Sequence, residues 1–119
     1  MSRLNENLDF SFLLGEYLPQ IAFGRYQVDL RFGRVTINIL SPCEIRTADG
    51  KTLRWEPDRE GDLNMFYRIL ESEVESYKVV DGHELVIRFA NSSELSLIVD
   101  EAAFESFLFR FKSGNFMVI

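Results

Sequence analysis

Short runs of alternating apolar and polar residues, each stopped by a glycine or a small polar cluster, constrain this chain more than any other feature. A side-chain period of two puts one residue set on one face of an extended strand, whereas an amphipathic helix needs apolar residues three and four apart. Tyr26, Val28, Leu30 and Phe32 alternate with Arg25, Gln27, Asp29 and Arg31. Val35, Ile37 and Ile39 repeat the pattern around Thr36 and Asn38; Leu85, Ile87 and Phe89 do so around Val86 and Arg88; Leu95, Leu97 and Val99 around Ser96 and Ile98. Phe107, Phe109 and Phe111 form another such face, and weaker strands are predicted at 17–23, 43–48, 52–56, 73–80 and 115–119.

The turn residues agree with these runs. Gly24 and Gly33 stand where a type II′ hairpin needs positive φ, Asp49-Gly50 and Asp81-Gly82 suit type I′, Ser113-Gly114 marks a further hairpin, and Asn91-Ser92-Ser93 reads as a three-residue loop. Two short helices are predicted. One covers about 7–14, capped by Asn5 or Asn7 and ended by Gly15; the other covers about 63–70 after Gly61, with Asp62 as cap and Leu63, Phe66 and Leu70 as its buried stripe. The fold class is therefore α+β and mainly β. It is expected to be an antiparallel sandwich or half-open barrel of about ten short strands, with the two helices plugging its ends.

At 119 residues the chain holds one domain, 1–119, and the polar run Glu56-Pro57-Asp58-Arg59-Glu60-Gly61 is its one linker. The stretches on either side, 8–56 and 62–119, resemble each other. Leu14, Leu18 and Ile21 align with Leu70, Val74 and Tyr77 at a spacing of 56, and Val28, Leu30 and Phe32 with Leu85, Ile87 and Phe89 at 57. Val35, Ile37 and Ile39 then meet Leu95, Leu97 and Val99 at 60, and Ile45, Arg46 and Gly50 meet Phe109, Arg110 and Gly114 at 64. Each half reads as helix, three-strand meander, hairpin, either as an internal pseudo-twofold repeat or as two unrelated meanders in one sheet system.

Chemistry-bearing residues are sparse. Eleven Phe stand against one Trp, one Cys and one His, a composition invested in core. A single Cys43 excludes an intrachain disulfide and a thiolate zinc site, and fits a reducing cytoplasm. With 19 acidic and 13 basic side chains the net charge is −6, so nucleic acid and anionic membrane surfaces are not expected partners. No apolar run suits a leader or a bilayer span, and the chain reads as soluble and unprocessed. His83, after the Asp81-Gly82 turn, lacks a companion nucleophile, and Cys43 reads as a small buried group. Arg25, Arg31, Arg88 and Arg110 fall on outward positions suited to cross-strand ion pairs; were Arg31 and Arg88 to meet, they would hold an anion. No phosphate loop, dinucleotide fingerprint, nucleophile elbow or calcium loop is present. No catalytic residue, metal or cofactor is expected.

The densest acidic stretch is Glu71, Glu73 and Glu75, close to Asp58, Glu60 and Asp62. Glu73, Glu75 and Tyr77 are expected on one strand face, so Glu71, Glu73, Glu75 and Tyr77 form the candidate partner-binding patch, with a solvated face and a hard-cation site as the other readings. Leu13-Leu14-Gly15, Gln20-Ile21, Gly24, Tyr26-Gln27, Leu30 and Phe32, with Phe104-Glu105-Ser106 near the end, resemble an uncharacterised family of small bacterial proteins, which implies no activity or site residues. In size and charge the chain also resembles immunity proteins, which neutralise a toxin by binding it.

These readings converge on a non-catalytic cytoplasmic binding protein, with immunity-type inhibition of a partner protein as its most concrete form and a small-molecule-binding β domain around an apolar cavity as the alternative. A homodimer is a further expectation, because Asn115-Phe116-Met117-Val118-Ile119 is apolar on both faces and must be central or covered.

Overall fold

A computed structural model describes residues 4, 7–59, 63–101 and 105–119. Among them the alternating runs form ten strands: β1 (Gln20–Phe23), β2 (Val28–Arg31), β3 (Val35–Ile39), β4 (Cys43–Arg46), β5 (Thr52–Trp55), β6 (Val74–Val80), β7 (Glu84–Phe89), β8 (Glu94–Ile98), β9 (Phe107–Phe111) and β10 (Phe116–Val118). They make two antiparallel five-stranded sheets, ordered β1-β2-β3-β9-β10 and β5-β4-β8-β7-β6. Each sheet thus joins a three-strand meander from one half of the chain to a hairpin from the other.

The inward rows of both sheets enter one hydrophobic cluster. In the first sheet Ile21, Leu30, Ile37, Phe109 and Met117 stand side by side across all five strands. In the second the matching row is Tyr77, Ile87, Leu95, Ile45 and Leu53. The next rows also correspond: Phe23, Val28, Ile39 and Phe107 against Val79, Leu85, Leu97 and Cys43. Ile21 and Tyr77, Leu30 and Ile87, and Ile45 and Phe109, at the same places in the two rows, are 56, 57 and 64 residues apart. For the third strand the pairing matches Ile37 to Leu95 and Ile39 to Leu97, two residues short of the sequence alignment, because the β7–β8 loop holds three residues and the β2–β3 turn two.

Where the halves first touch, the correspondence becomes reciprocal. Tyr17 and Glu73, which are 56 residues apart, form an antiparallel bridge with each other. Leu18 N–H donates to Ser72 C=O at 3.1 Å and Val74 N–H to Glu16 C=O at 2.9 Å; Gly15 N–H donates to Val74 C=O at 2.9 Å and Glu71 N–H to Leu18 C=O at 2.7 Å. Each pair of bonds maps onto itself when the halves are exchanged. Gly15 and Glu71 occupy the same left-handed conformation, with φ of 78° and 61°.

The turns correct two expectations. Gly24 and Gly33 do not have positive φ, and the first hairpin closes through Gly24 N–H to Gln27 C=O at 2.8 Å, with Arg25 and Tyr26 at its tip. Asp49-Gly50 is not type I′. Thr47 N–H donates to Lys51 C=O and Gly50 N–H to Thr47 C=O around a three-residue loop in which Gly50 alone is left-handed, and Phe111, Gly114 and Asn115 repeat this loop. Asp81 and Gly82 do both take positive φ. Ser92, with φ of 71°, fills in the 91–93 loop the role glycine fills in the other two.

The predicted helices are 3₁₀ segments, Ser11–Leu13 and Leu63–Arg68. In the first, Asp9 takes the Ser11 N–H at 2.8 Å, and Phe10 and Phe12 both turn toward β9, which an eight-residue α-helix would prevent. In the second, Phe66 and Ile69, three apart on one face, are buried together with Met65, while Leu63 at the start of the segment stays 42% exposed. The stripe expected from Leu63, Phe66 and Leu70 is therefore not the buried one. Asn5, Gly61, Asp62 and Phe104 lie outside the described residues.

Candidate functional site

The exposed Leu63 and Tyr67 border a surface groove. Ile21 and Phe23 of β1 and Leu63, Asn64, Phe66, Tyr67 and Leu70 of the second 3₁₀ segment and its end line a groove of about 300 Å³. Phe66 is its buried floor, 1% exposed, and meets the Phe23 ring at 5.6 Å in an edge contact. Tyr67 is 70% exposed and Phe23 47%. Grouped large apolar side chains at a surface mark sites of association far better than scattered ones do. Among the described residues β1 pairs on one side only, with β2, so an open strand edge runs beside the groove.

The acidic patch is not arranged as expected. The β6–β7 register shifts between Val74 and Ser76, placing Glu75 in a bulge and reversing the side-chain parity beyond it. Tyr77 consequently faces inward. Its ring packs against Phe10 at 5.8 Å, its hydroxyl accepts the Phe10 N–H at 3.3 Å, and it lies half-buried against the core. Glu75 is paired with Arg88 at 3.3 Å. Glu71 and Glu73 are exposed, and Glu71 directly follows Leu70 of the groove lining.

The remaining candidates are dispersed. His83 Nδ1 lies 3.2 Å from Glu101 on the surface. Arg31 and Arg88 sit in different sheets and do not meet, Arg88 being engaged by Glu75 and Glu94. Arg25 pairs with Asp58 instead of a cross-strand partner. Three carboxyls stand below their ordinary values, each through a local contact: Asp9 through the Ser11 N–H, Asp49 through the Thr47 hydroxyl and Glu56 through Arg54. Among the described residues no group of three His, Cys, Asp or Glu is placed to hold a metal ion. No helix there is long and apolar enough to cross a membrane.

Cys43 is fully buried, and burial pushes its thiol up to about 12 from an ordinary 9.0. The native state therefore keeps the proton that the unfolded chain releases above pH 9, so this contribution to stability is complete below pH 9 and falls away as pH rises toward 12. At pH 8 an aromatic disulfide reagent is expected to modify one thiol promptly in urea-unfolded protein and none in the native protein on that timescale; prompt native modification would refute the assignment.

No protein-family model, no curated protein and no solved structure matches this chain. The groove itself had one trace in the sequence: Leu63, Phe66, Tyr67 and Leu70 crowd the short segment after the linker with large side chains.

Proposed function

We propose that the protein is a non-catalytic binding domain that holds another protein at the groove between β1 and the 63–70 segment, with immunity-type inhibition of that partner as the concrete form. The observation that carries this is the grouping of Tyr67, Phe23 and Leu63, all substantially exposed, around a groove beside an open strand edge. A partner that inserts an apolar side chain there, flanked by a basic residue opposite Glu71, which follows Leu70 of the lining, matches the groove, and Glu73 extends the exposed acidic stretch. The cytoplasmic setting and the likeness to a small bacterial family belong to the same reading.

Affinity capture from native lysate, run in parallel with wild-type protein and Tyr67→Ala, tests it. An exposed aromatic anchor typically contributes 2 kcal/mol or more, so the variant should bind its stoichiometric partner about 30-fold less tightly, and raised salt should weaken both. Equal recovery of every protein on wild type and variant would sink the groove as the binding surface.

The architecture supports reading the two sheets as layers of a sandwich and the two halves as copies of one duplicated unit, since the inward rows and the reciprocal bonds around Tyr17 and Glu73 repeat. Two other ligands have specific support. A small apolar molecule suits a groove of about 300 Å³, the lower end of ordinary ligand sites. Self-association is favoured by β10, which pairs only with β9 among the described residues and leaves Phe116 68% exposed.

A further inference from the structure

On another face of the first sheet the charge balance of the molecule is locally reversed. Arg34, Arg110 and Lys112 line a depression of about 320 Å³ at the β2–β3 turn, together with Gly33, Thr36 and the edges of Phe32, Val35 and Phe111, whose side chains belong to or pack on the core. No carboxylate is among the lining residues, although the chain carries a net charge of −6. None of the three cations forms an ion pair among the described residues, which is also true of Arg31, Arg46, Lys51, Arg68 and Lys78; what sets the trio apart is that no acid lies among them. Lys112 N–H donates to Arg34 C=O at 3.0 Å, fixing these two like charges as neighbours, and Arg110 stands directly across from Thr36.

Like charges held side by side oppose folding unless something neutralises them. The fold does not demand them. At the corresponding end of the second sheet, Ser92 stands in the place of Arg34 and Ala48 in that of Lys112, and Arg46 is directly opposite Glu94. A groove on that sheet likewise interleaves Arg46 and Lys78 with Glu44, Glu84 and Glu94. The unbalanced trio thus belongs to one sheet end.

We propose that this depression binds a small phosphate monoester. Two guanidinium forks and one ammonium match the charge and the several acceptor oxygens of a phosphate dianion, which a single carboxylate would neutralise only in part. The Thr36 hydroxyl adds a further donor, and the organic group of the ester extends from the open mouth of the depression. The site is independent of the groove at β1, since it sits at the β2–β3 turn and shares no lining residue with that groove.

The test is a titration of the full chain with phenyl phosphate at constant ionic strength, followed by amide chemical shifts. The expected result is saturable shifts of Gly33, Arg34, Phe111 and Lys112, with inorganic phosphate shifting the same residues. Arg34→Gln combined with Lys112→Gln should weaken binding at least tenfold without lowering the melting temperature, because it also removes the repulsion; Arg110→Gln alone should weaken it by a smaller factor. Arg46→Gln, a cation of the other sheet, should leave affinity unchanged. Non-saturable shifts spread over the surface, undiminished affinity in the double variant, or an equal loss in Arg46→Gln would each overturn the proposal.

Discussion

Phe109→Ala is expected to remove about 3–5 kcal/mol of folding stability, the range for deleting a fully buried aromatic ring. Phe109 has no exposed surface and joins elements that are distant in sequence. Its ring lies 5.4 Å from Phe10, 5.3 Å from Phe12 and 5.9 Å from Phe107, so truncation opens a void that these packed rings cannot fully collapse into. Native domains have only about 5–15 kcal/mol to lose. The melting temperature should therefore fall by on the order of 10–20 °C. Differential scanning calorimetry checks this, and Phe116→Ala is the control, because Phe116 is 68% exposed and its removal should cost little. A comparable loss from both would contradict the assignment of Phe109 as the centre of the aromatic cluster.

Cutting the chain within the 56–61 linker should have the larger structural consequence. Each sheet takes its hairpin from the opposite half: β3 pairs with β9, and β8 with β4. A fragment ending at residue 59 therefore lacks the two strands that complete its meander, and it exposes Leu30 and Ile37, both fully buried in the whole chain. Alone, neither fragment should give a folded monomer by circular dichroism and dispersed amide spectra. Mixed, the two should restore the native spectrum. If the halves are copies of one unit, a single fragment at high concentration should also form a dimer in which two copies exchange hairpins, detectable by sedimentation. A stable folded monomer from either fragment would show that the hairpin exchange is dispensable.

The buried rows explain why so much of the strand pattern was legible. Leu30, Ile37, Ile87 and Leu95 are fully buried while their sequence neighbours Asp29, Arg31, Thr36, Asn38, Arg88 and Glu94 point to the opposite face, so the period of two reflects a sheet with one dry side. Ile21 and Tyr77, 56 apart, both stand in inward rows for the same reason. The third-strand alignment slipped by two because alternation repeats every second residue, and only a hydrogen-bonded loop fixes which repeat is meant. Helical readings failed at 7–14 and 63–70, where segments a few residues long are shaped by the sheets they close and not by their own periodicity.

The site was less legible. Glu73, Glu75 and Tyr77 were expected on one face from an unbroken strand, and a one-residue bulge at Glu75 turned Tyr77 into the core. The groove beside β1 depends on which side of a 3₁₀ segment Tyr67 occupies, and the cationic depression on Arg34 and Lys112 being brought together from strands far apart in sequence.

The sequence by itself determined the ten strands, most of their turns and the repeating order of meander and hairpin, because alternation and backbone preference act within a few residues. Only the tertiary structure decided which hairpin completes which sheet, where the bulge falls and which side chains remain at the surface. Those choices depend on contacts between residues far apart in the chain, whose energies no local pattern records.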